Sequence, residues 1–116
     1  MKKATIFLDI DGTILKHKDT LQNMLMSKPE LLDGTLDKLY DWHNQGYTII
    51  LTTARPEGSR YKTEKQLNKL GIVYSGLIMN LSSGPRIVIN DTKPDGTVTA
   101  IAKPLVRDAG IKDIEL

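Results

Sequence analysis

Short continuous apolar runs alternate with stretches of helical periodicity along this chain, and the alternation restricts what it can fold into. Ile6-Phe7-Leu8, Leu77-Ile78-Met79 and Ile87-Val88-Ile89 are uninterrupted and Tyr47 to Thr52 is a β-branched run, as in strands buried on both faces rather than strands with one wet face. Between them Leu36, Leu39, Tyr40 and His43 fall at helical spacing over 34–45, and Thr63, Leu67 and Leu70 share one face over 59–70. Asp33 and Ser59 stand where N-caps are wanted, and Gly46 and Gly71 where a helix ends on a left-handed residue. Residues 14–32 read as irregular, with a Met/Leu cluster from Leu21 to Met26. Strands are predicted at 4–9, 47–52, 77–79, 86–90 and 97–101. The expected product is one α/β domain with a mostly parallel five-stranded sheet, covered on both faces. In such sheets ligands sit beyond the carboxyl ends of the strands.

Those ends carry the chemistry. The first predicted strand runs into Asp9-Ile10-Asp11-Gly12-Thr13, the second into Thr52-Thr53-Ala54-Arg55, and the fourth into Asn90-Asp91, with Asp95 close behind. A buried carboxylate is costly unless it is paired or holds a cation. A plain Asp-Gly turn needs no second carboxylate inside the apolar run before it. Asp9, Asp11, Asp91 and Asp95 gathered at one edge suit a hard divalent cation, and Mg²⁺ favours this kind of set, with water and phosphate filling its other positions. Thr53, Arg55 and Arg86 can offer hydrogen bonds and charge to a phosphoryl group. Pro94-Asp95-Gly96 also has turn chemistry of its own.

Composition narrows the partners. Of the 116 residues, 40% are hydrophobic and only 5% aromatic, so the core must rest on Ile, Leu and Val. A formal net charge of +2 is too mild to argue for nucleic acid and suits a small anionic substrate equally well. There is no Cys, hence no disulfide and no thiolate metal site. The basic Met1-Lys2-Lys3 start is followed by an apolar run too short for a signal-peptide core. No apolar stretch approaches the roughly 20 residues that cross a bilayer. The expectation is a cytoplasmic protein with no membrane partner.

DIDGT, the apolar strand ending in Thr, and the N-D-T-K-P-D segment resemble, in order and spacing, the first, second and fourth motifs of the haloacid-dehalogenase-like (HAD) phosphohydrolases. The resemblance runs from about Thr5 to Asp95. It implies a Rossmann-like three-layer sandwich and a phosphate monoester hydrolase working through an aspartyl-phosphate. Asp9 would be the nucleophile, and Asp11 the general acid and then the base. Asp9, the carbonyl of Asp11, and Asp91 would bind Mg²⁺, with Asp95 joining directly or through water. Thr53 is preferred to Thr52 as the phosphate ligand because T-A-R resembles the S-G-R or T-G-R found at that place, so Ala54 and Arg55 enter the substrate-binding set. The third motif, a Lys or Arg, has no clean match. Arg86 is the choice, with Lys62, Lys65 and Lys93 as other candidates.

Members of the family usually take their specificity from an inserted cap. Here residues 14–33 leave room only for a small flap, which resembles a capless member and leaves a homo-oligomer open. The substrate class stays open as well, with a sugar phosphate, a nucleic-acid end or a phosphoprotein all compatible. A receiver domain would need its phosphorylated Asp at the end of the third strand, where Asn80 stands instead. A non-catalytic domain that binds a phosphate or a partner remains the rival reading.

Overall fold

The computed structural model describes residues 3–116. Its elements are β1 (Thr5–Asp9), α1 (Leu21–Met26), α2 (Thr35–Asn44), β2 (Thr48–Thr52), a 3₁₀ turn at Glu57–Ser59, α3 (Arg60–Lys69) and β3 (Gly76–Ile78). The strands form one parallel sheet in the order β1-β2-β3. Parallel neighbours need a crossover; α1 and α2 lie in the first and α3 in the second.

Register explains where the core sits. Ile6 pairs with Ile49 and Leu8 with Leu51, so these four share one face, and Leu77 joins them beside Leu51. That face meets Leu39 and Trp42 of α2 and Leu67 of α3 in a single apolar cluster that also holds Ile10, Ile14, Leu15, Ile72 and Ile111. Each fully buried Leu or Ile contributes about 1.5–3 kcal/mol. Helix α2 leaves through Gly46, whose φ of +96° is the left-handed value a glycine adopts without strain. Its N-cap is Gly34 rather than the expected Asp33, which reaches outward to Lys112 at 3.6 Å. Thr35 does the local work instead, its hydroxyl donating to the carbonyl of Leu32 at 2.7 Å. Ser59 stands at the N-cap of α3, but its hydroxyl donates back to the Pro56 carbonyl rather than accepting from the helix.

Three expectations are corrected. Residues 14–32 are not all irregular: α1 forms there, with the Thr20 hydroxyl accepting from the Asn23 N–H at 3.1 Å. The sheet has three strands rather than five, because neither 86–90 nor 97–101 joins it. Ile87 and Ile89 are 84% and 92% exposed. Residues 93–97 close a turn of their own, the Lys93 N–H donating to the Thr97 carbonyl. A run of β-branched residues has the same pattern with or without a neighbour to pair with, so the sequence could not separate the two cases. As a result the sheet is covered on one face only, and Phe7, on the other, is 63% exposed. Among the described residues no helix is long and apolar enough to cross a membrane.

Candidate active site

The carboxyl edge of the sheet is set by register: Asp9 lies beside Thr52, and Thr52 beside Ile78. Just past Asp9 the chain folds tightly over Ile10, whose carbonyl accepts from the N–H groups of Thr13, Ile14 and Leu15. Ile10, Ile14 and Leu15 are buried, and this anchors the loop from beneath. Gly12 has a φ of +92°, and its carbonyl accepts from Asp108 N–H at 2.8 Å. Asp108 in turn accepts from the His17 N–H at 2.7 Å. The chain near its C-terminus therefore clamps the acidic loop.

Asp9 is half-buried. Its Oδ2 accepts from the Thr13 hydroxyl at 3.1 Å, and its Oδ1 faces the Arg86 guanidinium at 3.3 Å. Burial pushes its carboxyl above the ordinary carboxylate range, outweighing Thr13 and Arg86, which pull it down. Asp11 is held very differently. Arg55 forks onto both of its oxygens, Nε at 2.9 Å and an Nη at 2.8 Å. The Arg55 side chain is only 2% exposed, so this is a buried, bidentate pair. The other Nη of Arg55 donates to Gln66 at 2.9 Å and to Thr63 at 3.3 Å.

Thr52 and Thr53 are both buried. The Thr53 hydroxyl accepts from the Arg55 N–H at 3.0 Å, while its carbonyl accepts from Leu81 N–H. Ala54 is exposed between them. Thr13 and Arg86 thus gather on Asp9, and Arg55 on Asp11 two residues later. Asp91 and Asp95 join neither: both are exposed, and Asp95 accepts from the Thr97 N–H and hydroxyl, which hold its carboxyl below the ordinary range. Among the described residues, no three acidic or His side chains gather into a ready cation cage. Lys62 reaches Met26 of α1, at 3.7 Å.

Sequence reasoning missed three contributors. Gln66 lies within the helix expected over 59–70, and nothing in the sequence ties it to Arg55, 11 residues earlier. Arg107 lays its stem within 3.3 Å of where a Cβ on Gly12 would stand. Asp108 clamps the loop as described. Neither of the last two had a local pattern to reveal it. Beside the loop, Lys16, His17, Lys18, Asp19, Asn23, Ser27 and Glu30 line an open cleft of about 420 Å³.

Comparison with solved structures places this architecture among known ones. A chain of the Pnkp1/Rnl/Hen1 complex superposes with a TM-score of 0.59 at 26% identity, covering 74% of this chain and 31% of that one. A chain of the Pnkp1/Rnl/Hen1 RNA repair complex gives 0.58 at 27% identity, over 72% of this chain and 27% of the other. This chain thus spans about a third or less of those proteins. A protein of Vibrio cholerae shares the fold at 15% identity, with a TM-score of 0.54 over 82% of this chain and 85% of that one. No curated protein matches the sequence. The family model described as "PITM 1-3, LNS2 domain" matches residues 6–112, from the first strand through the acidic loop to its C-terminal clamp. The chain belongs to that LNS2 domain family, and with it to the HAD-like phosphohydrolases.

Proposed function

We propose that the protein hydrolyses phosphate monoesters with Mg²⁺, through an aspartyl-phosphate on Asp9. The observation that carries this reading is the pose of Asp9. It stands at the carboxyl end of β1, turned outward and steadied by Thr13, with a guanidinium at its other oxygen. The donor set also fits a hard cation. Asp9 is a carboxylate whose burial is only partly offset by an exposed Arg, and Mg²⁺ is commonly held by one or two carboxylates plus phosphate and water. Asp9 and the carbonyl of Asp11 would hold it, with Asp91 and Asp95 joining if residues 86–101 fold toward the site. Bound there, the cation supplies charge that relieves repulsion between an anionic nucleophile and an anionic ester.

In the first step an Asp9 oxygen bonds to phosphorus and the bond to the leaving oxygen breaks, while Asp11 gives that oxygen its proton. In the second, water attacks phosphorus, Asp11 takes the water's proton, and the bond to Asp9 breaks to release inorganic phosphate. Arg86 and Thr53 would steady the phosphoryl oxygens. The cleft beside the loop, where Lys16 and Lys18 stand with Asp19 and Glu30, would receive the rest of the substrate. A sugar phosphate is the preferred class. A phosphorylated nucleic-acid end is the competitor, since a structural neighbour belongs to an RNA repair complex.

One observation favours the rival, a binding domain without turnover: Arg55 occupies both oxygens of Asp11. The deciding measurement is phosphate release from p-nitrophenyl phosphate, sugar phosphates, nucleotides and phosphorylated oligonucleotides, with Mg²⁺, with chelator, and with Asp9→Asn. Metal-dependent release that the variant loses is the expected result. Phosphate binding by a folded protein with no release from any substrate would favour the rival.

A further inference from the structure

Helix α1 has no buried residue and is only six residues long, so apolar packing does little to seat it. A chain of polar contacts does more. The Met24 carbonyl accepts from the Gln66 side-chain amide at 2.9 Å, the Gln66 carbonyl oxygen accepts from Arg55 at 2.9 Å, and Arg55 forks onto Asp11. The two groups in the middle are committed. Arg55 is 3% exposed, and Gln66 uses its donor on α1 and its acceptor on Arg55.

From this we propose that Gln66 is a positioning residue that couples the seating of α1 to the orientation of Asp11. The inference rests on the assignment of Asp11 as general acid. While Arg55 holds both its oxygens, Asp11 faces the guanidinium and not a leaving group. To reach the leaving group it must turn, and a buried guanidinium abandoned by its only carboxylate is strongly unfavourable. Gln66 and Thr63 are the acceptors that keep Arg55 in place when Asp11 leaves. Because the Gln66 amide is also fixed by Met24, the seat of α1 sets how well that acceptor is aimed. Substrate that moves α1 thereby changes the ease with which Asp11 is released. Coupling of this kind is reciprocal: what Asp11 does to α1, α1 does to Asp11.

The test has a kinetic arm and a structural arm. In Gln66→Leu, kcat/KM for phenyl phosphate, whose leaving group needs a proton, should fall about tenfold, a modest part of what a general acid supplies. For 2,4-dinitrophenyl phosphate, whose leaving group needs none, kcat/KM, which does not include the later hydrolysis step that also uses Asp11, should change less than about twofold. Equal losses on the two substrates would mean a merely structural role and would overturn the proposal. In the metal-free protein, Asp11→Asn should shift the NMR signals of the Gln66 side-chain amide and of the Met24 and Leu25 N–H groups. If that variant does not fold, Gln66→Leu read at the N–H groups of residues 9–13 makes the same test in reverse. Signals that stay in place refute the coupling whether or not the wild type turns over. Shifted signals in a protein that releases no phosphate would keep the coupling and remove the hydrolase reading.

Discussion

Between Asp9, the last residue of β1, and Asp11, the chain sinks Ile10 completely. The two then meet different surroundings. Asp11 gains a buried cation, while Asp9 is desolvated with only an exposed one against it. Its raised carboxyl means that the folded protein binds this proton more tightly than the unfolded chain does. Ionised Asp9 therefore costs stability at neutral pH, and the cost disappears as acid protonates it. Asp9→Asn removes that charge and keeps an acceptor for Thr13. It also forfeits the Arg86 pair, which is exposed and worth little. In chelator at pH 7, a thermal melt of Asp9→Asn should lie above wild type. The gap should close as the pH falls toward about 4, the ordinary range of an unfolded aspartate. Mg²⁺ should then raise the melting temperature of the wild type and leave that of the variant nearly unmoved.

At the scale of elements, what the sequence made legible follows from which signals are local. Helices α2 and α3 and the three strands announce themselves by period and by their end residues, within a residue or two. DIDGT marked a candidate site for a chemical reason, since a carboxylate inside an apolar run is costly unless it is paired or holds a cation. Arg55 was legible as a cation at a strand end but not as the buried partner of Asp11, because pairing across 44 residues leaves no local trace. The segment 86–101 misled for a related reason: Ile87-Val88-Ile89 has strand chemistry, and strand chemistry does not say whether a neighbour is present. Two substitutions separate the cases. Leu67→Ala, at a position with 0% exposure, should cost about 2–5 kcal/mol in denaturant unfolding. Ile89→Asp, at 92% exposure, should change metal-free stability by less than about 0.5 kcal/mol. If the segment carries Asp91 to the site during turnover, Ile89→Asp should nevertheless lower Mg²⁺-dependent phosphate release about tenfold, a loss of about 1.4 kcal/mol in the transition state.

Considered whole, the molecule has an unpaired strand edge and an unpaired strand-like segment at once. β1 is an outer strand of the sheet with Phe7 exposed beside it, and 86–101 extends away with its apolar side chains in water. Open edges of this kind invite pairing. Covering that edge with Asp91 beside Asp9 requires residues 86–91 to run parallel to β1, so Arg86 would have to leave the contact it makes with Asp9 here. The segment's extension shows in the dimensions: the radius of gyration is 14.7 Å, with extents of 49 × 28 × 25 Å, whereas a compact domain of this length has about 13.4 Å. A cation at Asp9 would attract Asp91, and the gain in apolar burial along β1 would favour the same movement. Small-angle scattering should accordingly show the radius of gyration falling by about 1 Å, toward the compact value, when Mg²⁺ and a phosphate analogue are added. Asp91→Asn should blunt the change and Asp9→Asn should abolish it. A radius that does not move with ligand, in a protein that does turn over, would mean that the segment stays outside and that Asp9 and the carbonyl of Asp11 hold the cation without it.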